Sequence, residues 1–242
     1  MDIEIKRDNL VLRGTMEKPE QESYDLALIF HGFTGNRNEA LLSTIANRLL
    51  EKGIASLRFD FNGHGSSDGL LKDMTVLNEI ADAKAILDYG RALPNVRNIF
   101  VLGHSQGGVV ASMLAGYYPE YIEKLVLMAP AATLKDDAMK GECMDARYDP
   151  NHVPDVVNVM GKPIGGFYFR VAQFLPIYEV AANYPGPVCL IHGEGDKVVD
   201  QQASIRYYRT CQNSQLHLIN GADHMFSSPH FDEAVSLAVD FL

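Results

Sequence analysis

Residues 103–107 read Gly103-His104-Ser105-Gln106-Gly107, set between the apolar run Ile99–Leu102 and a helix-forming stretch from Gly108 to Tyr118. A G-x-S-x-G pentapeptide is common by chance, but between a buried strand and a helix it constrains the chain strongly. Small residues two positions either side of the serine let the backbone bend sharply, and the serine then stands clear of its neighbours. The N–H of the next residue, Gln106, faces the oxygen of any carbonyl that Ser105 attacks.

Such a turn needs a sheet to hold it. Ile3–Lys6 and Leu10–Thr15, joined at Asp8-Asn9, read as an antiparallel hairpin on one edge. Leu26–Phe30, Ala55–Phe59, Ile99–Leu102, Leu125–Met128, Val188–Ile191 and Leu216–Ile219 read as buried strands alternating with amphipathic segments. That rhythm predicts a mostly parallel eight-stranded sheet with helices on both faces. Among the helices, Leu41, Ile45 and Leu49 run to a stop at Gly53, and Val76, Ile80, Ala83 and Leu87 follow a Thr75 cap. The last helix is expected to open with Ser228-Pro229 and to bury Phe231, Val235 and Ala238.

From Ala131 to Pro187 the rhythm breaks: no clear strand appears, while prolines, glycines and aromatics accumulate, as in Gly165-Gly166-Phe167-Tyr168-Phe169. A structureless loop of that length is improbable in a compact domain. The expectation is a core of residues 1–130 and 188–242 with an inserted cap, 131–187, built from short helices. Following the strand after the serine turn, the cap should cover the carboxyl ends of the strands, where open α/β sheets place their ligands.

A serine hydroxyl is a poor nucleophile until an imidazole takes its proton, and a carboxylate must orient that imidazole and stabilise its cation. In a sheet of this kind the partners follow in the order serine, acid, histidine, each on a loop after a strand. The strand Val188–Ile191 runs into His192-Gly193-Glu194-Gly195-Asp196, and Leu216–Ile219 into Asn220-Gly221-Ala222-Asp223-His224. Asp196 and His224 are the expected partners of Ser105. Glu194 and Asp200 compete for the role of acid, although Asp200 also fits a cap for a helix beginning near Gln201. The other seven histidines lie in turns, inside strands or in surface segments, where structural roles are expected. The loop His31-Gly32-Phe33-Thr34-Gly35 follows the first buried parallel strand and offers the Phe33 N–H as a second oxyanion donor beside that of Gln106. The glycine-rich stretch Asn62–Gly69 matches no phosphate or dinucleotide fingerprint and reads as a structural loop anchored by Asp60.

Composition narrows the function classes. A net charge of −10 argues against a nucleic-acid partner, because phosphate binding needs clustered Lys and Arg. No stretch approaches a membrane span, and Met1-Asp2-Ile3-Glu4 lacks a basic-then-apolar leader, so a cytoplasmic location is expected. Cys143, Cys189 and Cys211 are widely spaced and read as buried or incidental thiols in a reducing compartment. There is no metal-ligand spacing, and nothing implies a cofactor.

The segments HGFTGNRN (31–38), RFDFNGHGSSDG (58–69), GHSQGG (103–108) and GADHMF (221–226) resemble the α/β-hydrolase superfamily along the whole chain. FDFNGHGSSDG, VLGHSQGGVVASMLAG (101–116), APAATLK (129–135) and the cap segment GGFYFRVAQFLPIYE (165–179) resemble the bacterial cinnamoyl and feruloyl esterases in particular. The resemblance implies an α/β-hydrolase fold, a serine carboxylesterase acting on a small phenolic ester, and a homodimer. It also implies that Asp137 and Tyr168 reach the para-hydroxyl of a phenolic acyl group. Residues 140–147 look less like that family. A general short-chain carboxylesterase or monoacylglycerol lipase would use the same triad, and so would a peptidase. A non-enzymatic receptor is disfavoured by the complete triad, and dehalogenase chemistry by serine where aspartate would be needed.

Overall fold

The computed structural model describes residues 1–242. The edge hairpin forms as β1 (Asp2–Arg7) and β2 (Leu10–Glu17), followed by β3 (Tyr24–Phe30), α1 (Ala40–Glu51), β4 (Ala55–Phe59) and α2 (Val76–Ala92). Next come β5 (Val96–His104), α3 (Gln106–Tyr117) and β6 (Lys124–Met128). The eight-stranded sheet has the order β1-β2-β4-β3-β5-β6 and then two later strands, β11 (Val188–Gly193) and β12 (Ser214–Ile219). Only the β1–β2 and β2–β4 pairings are antiparallel. The central strands are apolar on both faces, as helix-covered parallel strands must be. Successive side chains alternate between two cores: Leu26, Leu28 and Phe30 join one, Ala27 and Ile29 the other.

Between β6 and β11 lie α4 (Leu134–Lys140), β7 (Glu142–Cys143), β8 (Ala146–Arg147), β9 (Val156–Val159), β10 (Lys162–Gly165), α5 (Gly166–Ala172) and α6 (Ile177–Ala181). The expectation of helices alone is therefore corrected, because β7–β8 and β9–β10 are antiparallel hairpins with two-residue turns. Met160 (φ +50°) and Gly161 (φ +75°) both take the left-handed region, which matches the twist of a tight hairpin. Strands of two to four residues, one carrying Pro163, are too short for period-2 alternation to register. Apolar residues of this segment, among them Val159, Ile164 and Phe169, extend the core on one face of the sheet rather than forming one of their own.

Local signals hold elsewhere. Thr75 Oγ1 accepts the Asn78 N–H at 3.1 Å to cap α2, and Gly53 ends α1 at φ +77°. After β11 come α7 (Gln202–Thr210), preceded by Asp200, which accepts the Gln202 N–H at 2.9 Å, and then, beyond β12, α8 (Phe231–Phe241). Val235 and Ala238 of α8 are buried, whereas Phe231 is only half-buried against them, short of the full burial expected. The Asp60 carboxylate accepts the N–H groups of Arg37 (2.8 Å) and Ser66 (2.9 Å) and pairs with the Arg37 guanidinium, tying together the loops after β3 and β4.

Gly107 is where the fold tolerates least. A Cβ there would meet the carbonyl oxygens of Phe30 and His31, both backbone atoms at the end of β3. Gly107→Ala is expected to lower the unfolding free energy by about 1–3 kcal/mol through overpacking, read as a fall in the urea midpoint; an unchanged midpoint contradicts this close approach.

Candidate active site

Ser105 occupies the bend between β5 and α3 at φ +56°, ψ −124°, a region a non-glycine residue adopts only when its surroundings enforce it. The enforcement is visible. Its N–H donates to Met128 O on β6 (2.9 Å), and its carbonyl accepts the N–H groups of Gly108 (2.9 Å) and Ala131 (3.0 Å). A Cβ on Gly103 would collide with the Gly107 carbonyl, so the two glycines permit the bend.

The loops after β11 and β12 bring two side chains to this serine. Ser105 Oγ lies 2.9 Å from His224 Nε2, and His224 Nδ1 lies 2.7 Å from Asp196 Oδ2. With Nδ1–H donated to the carboxylate, Nε2 is free to accept the serine proton. Asp196 Oδ1 accepts the N–H groups of Val198 (2.8 Å) and Val199 (2.9 Å). Burial alone would raise the pKa of this carboxyl. Hydrogen bonds from His192 and His224, the charge of His224 and the Val199 N–H outweigh burial and hold it well below the usual carboxylate range. Neither rival acid bonds His224: Glu194 is exposed, and Asp200, also exposed, accepts the Gln202 N–H at the start of α7.

Two histidines assigned structural roles from sequence turn out to support the site. His192 is fully buried; its Nε2 lies 3.2 Å from Asp196 Oδ2 and 3.1 Å from Val199 O, while Nδ1 meets Ser204 Oγ at 2.7 Å. His104 donates from Nε2 to the His224 carbonyl at 2.9 Å, its ring 4.9 Å from the His224 ring. Burial, then the charge of His224, pushes its pKa down to about 4, so it packs there as a neutral ring.

The turn after β3 lies against Ser105, and a Cβ on Gly32 would sit 2.9 Å from the serine Cβ. Buried His31 accepts the Phe61 N–H on Nε2 (3.1 Å), so Nδ1 carries the hydrogen and donates to Gly32 O at 2.9 Å. That carbonyl shares its peptide plane with the Phe33 N–H, and fixing one edge of the plane fixes the other. Burial, followed by His64, lowers the His31 pKa to about 3 and keeps this tautomer neutral. Gln106 is the first residue of α3, and its N–H is among those a helix cannot satisfy internally.

Phe33, Ser105 and Gln106 open onto a cavity of about 500 Å³, whose other walls come from the segment between β6 and β11 and from Lys197–Val199. Asp137 and Tyr168 both line it. Asp137 is half-buried, and burial raises its pKa against the opposing Thr133 hydrogen bond. The Tyr168 ring packs 5.6 Å from that of Phe33, and its hydroxyl donates to Gln106 Oε1 at 2.6 Å. Its one hydrogen is thereby used, leaving only lone pairs for a ligand. Cys143 lines the wall as well, and burial, then Asp137 and Asp145, pushes its thiol up to about 11. Met144 and Met160 reach the cavity from the two hairpin turns, which the sequence pattern did not reveal.

This architecture and site define an α/β hydrolase of the serine type. A profile of the serine aminopeptidase S33 family matches residues 21–156, more than half of the chain, and the chain belongs to that family. Among solved structures, Est1E from Butyrivibrio proteoclasticus with ferulic acid bound superposes with a TM-score of 0.95 at 31% identity, covering 99% of this chain and 97% of that one. A second Est1E structure gives 0.91 at 29%, covering 99% and 96%. The monoacylglycerol lipase ABHD6 of Rattus norvegicus is 24% identical, over 89% of this chain and 74% of its own. The protein is thus an esterase- or lipase-like serine hydrolase. No helix is long and apolar enough to cross a membrane.

The depressed Asp196 pKa makes a stability prediction. A carboxyl whose folded pKa lies below its unfolded value stabilises fully above the unfolded value, near ~3.9, and loses that contribution as pH falls through the folded one. Asp196→Asn is expected to be less stable than the wild type at pH 7 by about 1.5–3 kcal/mol, with the gap closing as the pH is lowered below ~4. Urea titrations across pH check this, and a gap that persists undiminished in acid contradicts it.

Proposed function

We propose that this protein is a serine carboxylesterase that cleaves hydroxycinnamoyl esters through an acyl-enzyme. Ser105 attacks the ester carbonyl as His224, oriented by Asp196, takes its proton. The oxyanion rests between the N–H groups of Phe33 and Gln106. His224 then protonates the departing alcohol, and a water activated by the same imidazole releases the acid.

One observation carries the acyl preference. The cavity beside Ser105 combines aromatic walls (Phe33, Tyr168 and Phe169) with polar side chains that include Asp137 and the Tyr168 hydroxyl. A flat apolar acyl group fits the walls, and a phenol can donate to either polar group; a site built around such a bond discriminates sharply against analogues lacking it. The likeness to Est1E, whose structure holds ferulic acid, supports the same reading. A general esterase or monoacylglycerol lipase is the second reading, favoured by the flexible Met144 and Met160 on the cavity wall and by the likeness to ABHD6.

Initial rates on ethyl ferulate and ethyl butyrate separate the two. A kcat/KM preference of about a hundredfold for ferulate, roughly 2.7 kcal/mol, is expected. Equal or faster hydrolysis of butyrate would leave the general esterase. Ser105→Ala is expected to reduce kcat by on the order of a millionfold without loss of fold; substantial residual turnover would remove Ser105 from its role.

A further inference from the structure

Glu79, on α2, has no part in the reaction above, yet it is 1% exposed and Oε1 of its carboxyl has no hydrogen-bond partner. Buried acids are rare unless paired, so its one bond is informative. Oε2 accepts from Gln106 Nε2 at 2.8 Å. The same Gln106 nitrogen faces the Met74 sulfur, a weak acceptor, at 3.8 Å. Both contacts require the amide nitrogen on that side. The amide oxygen therefore faces Tyr168, whose hydroxyl donates to it at 2.6 Å. A flipped amide would set oxygen against sulfur and Glu79 Oε2, and nitrogen against the tyrosine. Burial, which Gln106 opposes and the nearby Asp82 reinforces, drives the Glu79 pKa well up.

We propose that Glu79 is a positioning residue that sets the hydrogen-bond polarity of the acyl cavity. Through Gln106 it commits the Tyr168 hydrogen inward, so that Tyr168 can only accept from a bound acyl group. The cavity then selects acyl groups bearing a free hydroxyl over the same groups with that hydroxyl methylated. This inference rests on the hydroxycinnamoyl reading of the cavity and adds the determinant behind it. A methoxy group offers no hydrogen to Tyr168, and the tyrosine oxygen is left unpaired.

Glu79→Gln tests the idea at nearly constant volume. Its side-chain amide can donate as well as accept, so the Gln106 amide is free to turn, donate to Tyr168 and release the tyrosine hydrogen toward the ligand. The readout is the ratio of kcat/KM for methyl 4-hydroxycinnamate over methyl 4-methoxycinnamate. Taken on one enzyme sample, it is independent of the active fraction. The wild type is expected to favour the hydroxy ester by about tenfold or more. Glu79→Gln should cut that ratio by about threefold or more, Tyr168→Phe should cut it as well, and the double variant should fall no further than Tyr168→Phe alone. Gln106→Leu keeps the backbone N–H and removes the acceptor for Tyr168; it should lower the ratio too, and it serves if Glu79→Gln folds poorly. A wild type with no preference, or with no activity on either ester, overturns the hydroxycinnamoyl reading and this inference together. A preference that Tyr168→Phe lowers but Glu79→Gln and Gln106→Leu leave intact overturns this inference alone. A role for Glu79 in packing only would give that last result.

Discussion

The structure turns on one close approach of backbone to backbone. Gly107 lies so near the carbonyl oxygens of Phe30 and His31 that no side chain fits, and Gly103 faces the Gly107 carbonyl in the same way. These contacts hold Ser105 at φ +56° at the ends of β5 and β3, where four loops converge. Everything chemically interesting follows from that placement. The turn after β3 brings Gly32 and Phe33 beside the serine, the loop after β12 brings His224, and the segment after β6 walls the cavity. The strain at Ser105 is sustained because the sheet on both sides is fully paired and buried.

Around this point the hydrogen bonds run in chains whose directions are determined. His31 must donate to Gly32 because it accepts from Phe61. His224 presents Nε2 to Ser105 because Nδ1–H is held by Asp196. Asp196 in turn receives two backbone N–H groups and a second imidazole, His192, itself bounded by Ser204 and Val199. In the proposed reaction His224 becomes a cation, and this strongly stabilised carboxylate is what offsets it. In the inference drawn above, the same logic runs from Glu79 to Tyr168, where a buried chain of hydrogen bonds sets which partner a ligand must bring.

Much of this was legible in the sequence, and what was missed shares a cause. All eight strands of the main sheet stood out, the central ones because strands covered on both faces are apolar runs bounded by turns, and β1 and β2 as a hairpin; β12, read as a buried strand, buries only Ile219. Ser105, Asp196 and His224 stood out as candidates because each lies on the turn or loop that follows such a strand. The hairpins β7–β8 and β9–β10 could not, since two to four residues show no periodicity, and so Met144 and Met160 were not seen to face the cavity. His192 and Glu79 carry no local signal. His192 reads as the end of a strand and Glu79 as an acid in an amphipathic helix, and only the tertiary fold brings Glu79 to Gln106, 27 residues on. The resemblance offered Tyr168 for the para-hydroxyl of an acyl group, but not that its hydrogen is already used by Gln106. Polar pairs buried across elements are set by packing rather than by sequence spacing.

In the proposed reaction Ser105 is the nucleophile, activated by His224. The most direct measurement is labelling with a fluorophosphonate, followed by peptide mass mapping. One phosphonyl group per chain is expected, on Ser105, formed in step with the loss of ester hydrolysis and much more slowly in His224→Ala. Labelling at another residue, or hydrolysis that continues once Ser105 is fully modified, would contradict it.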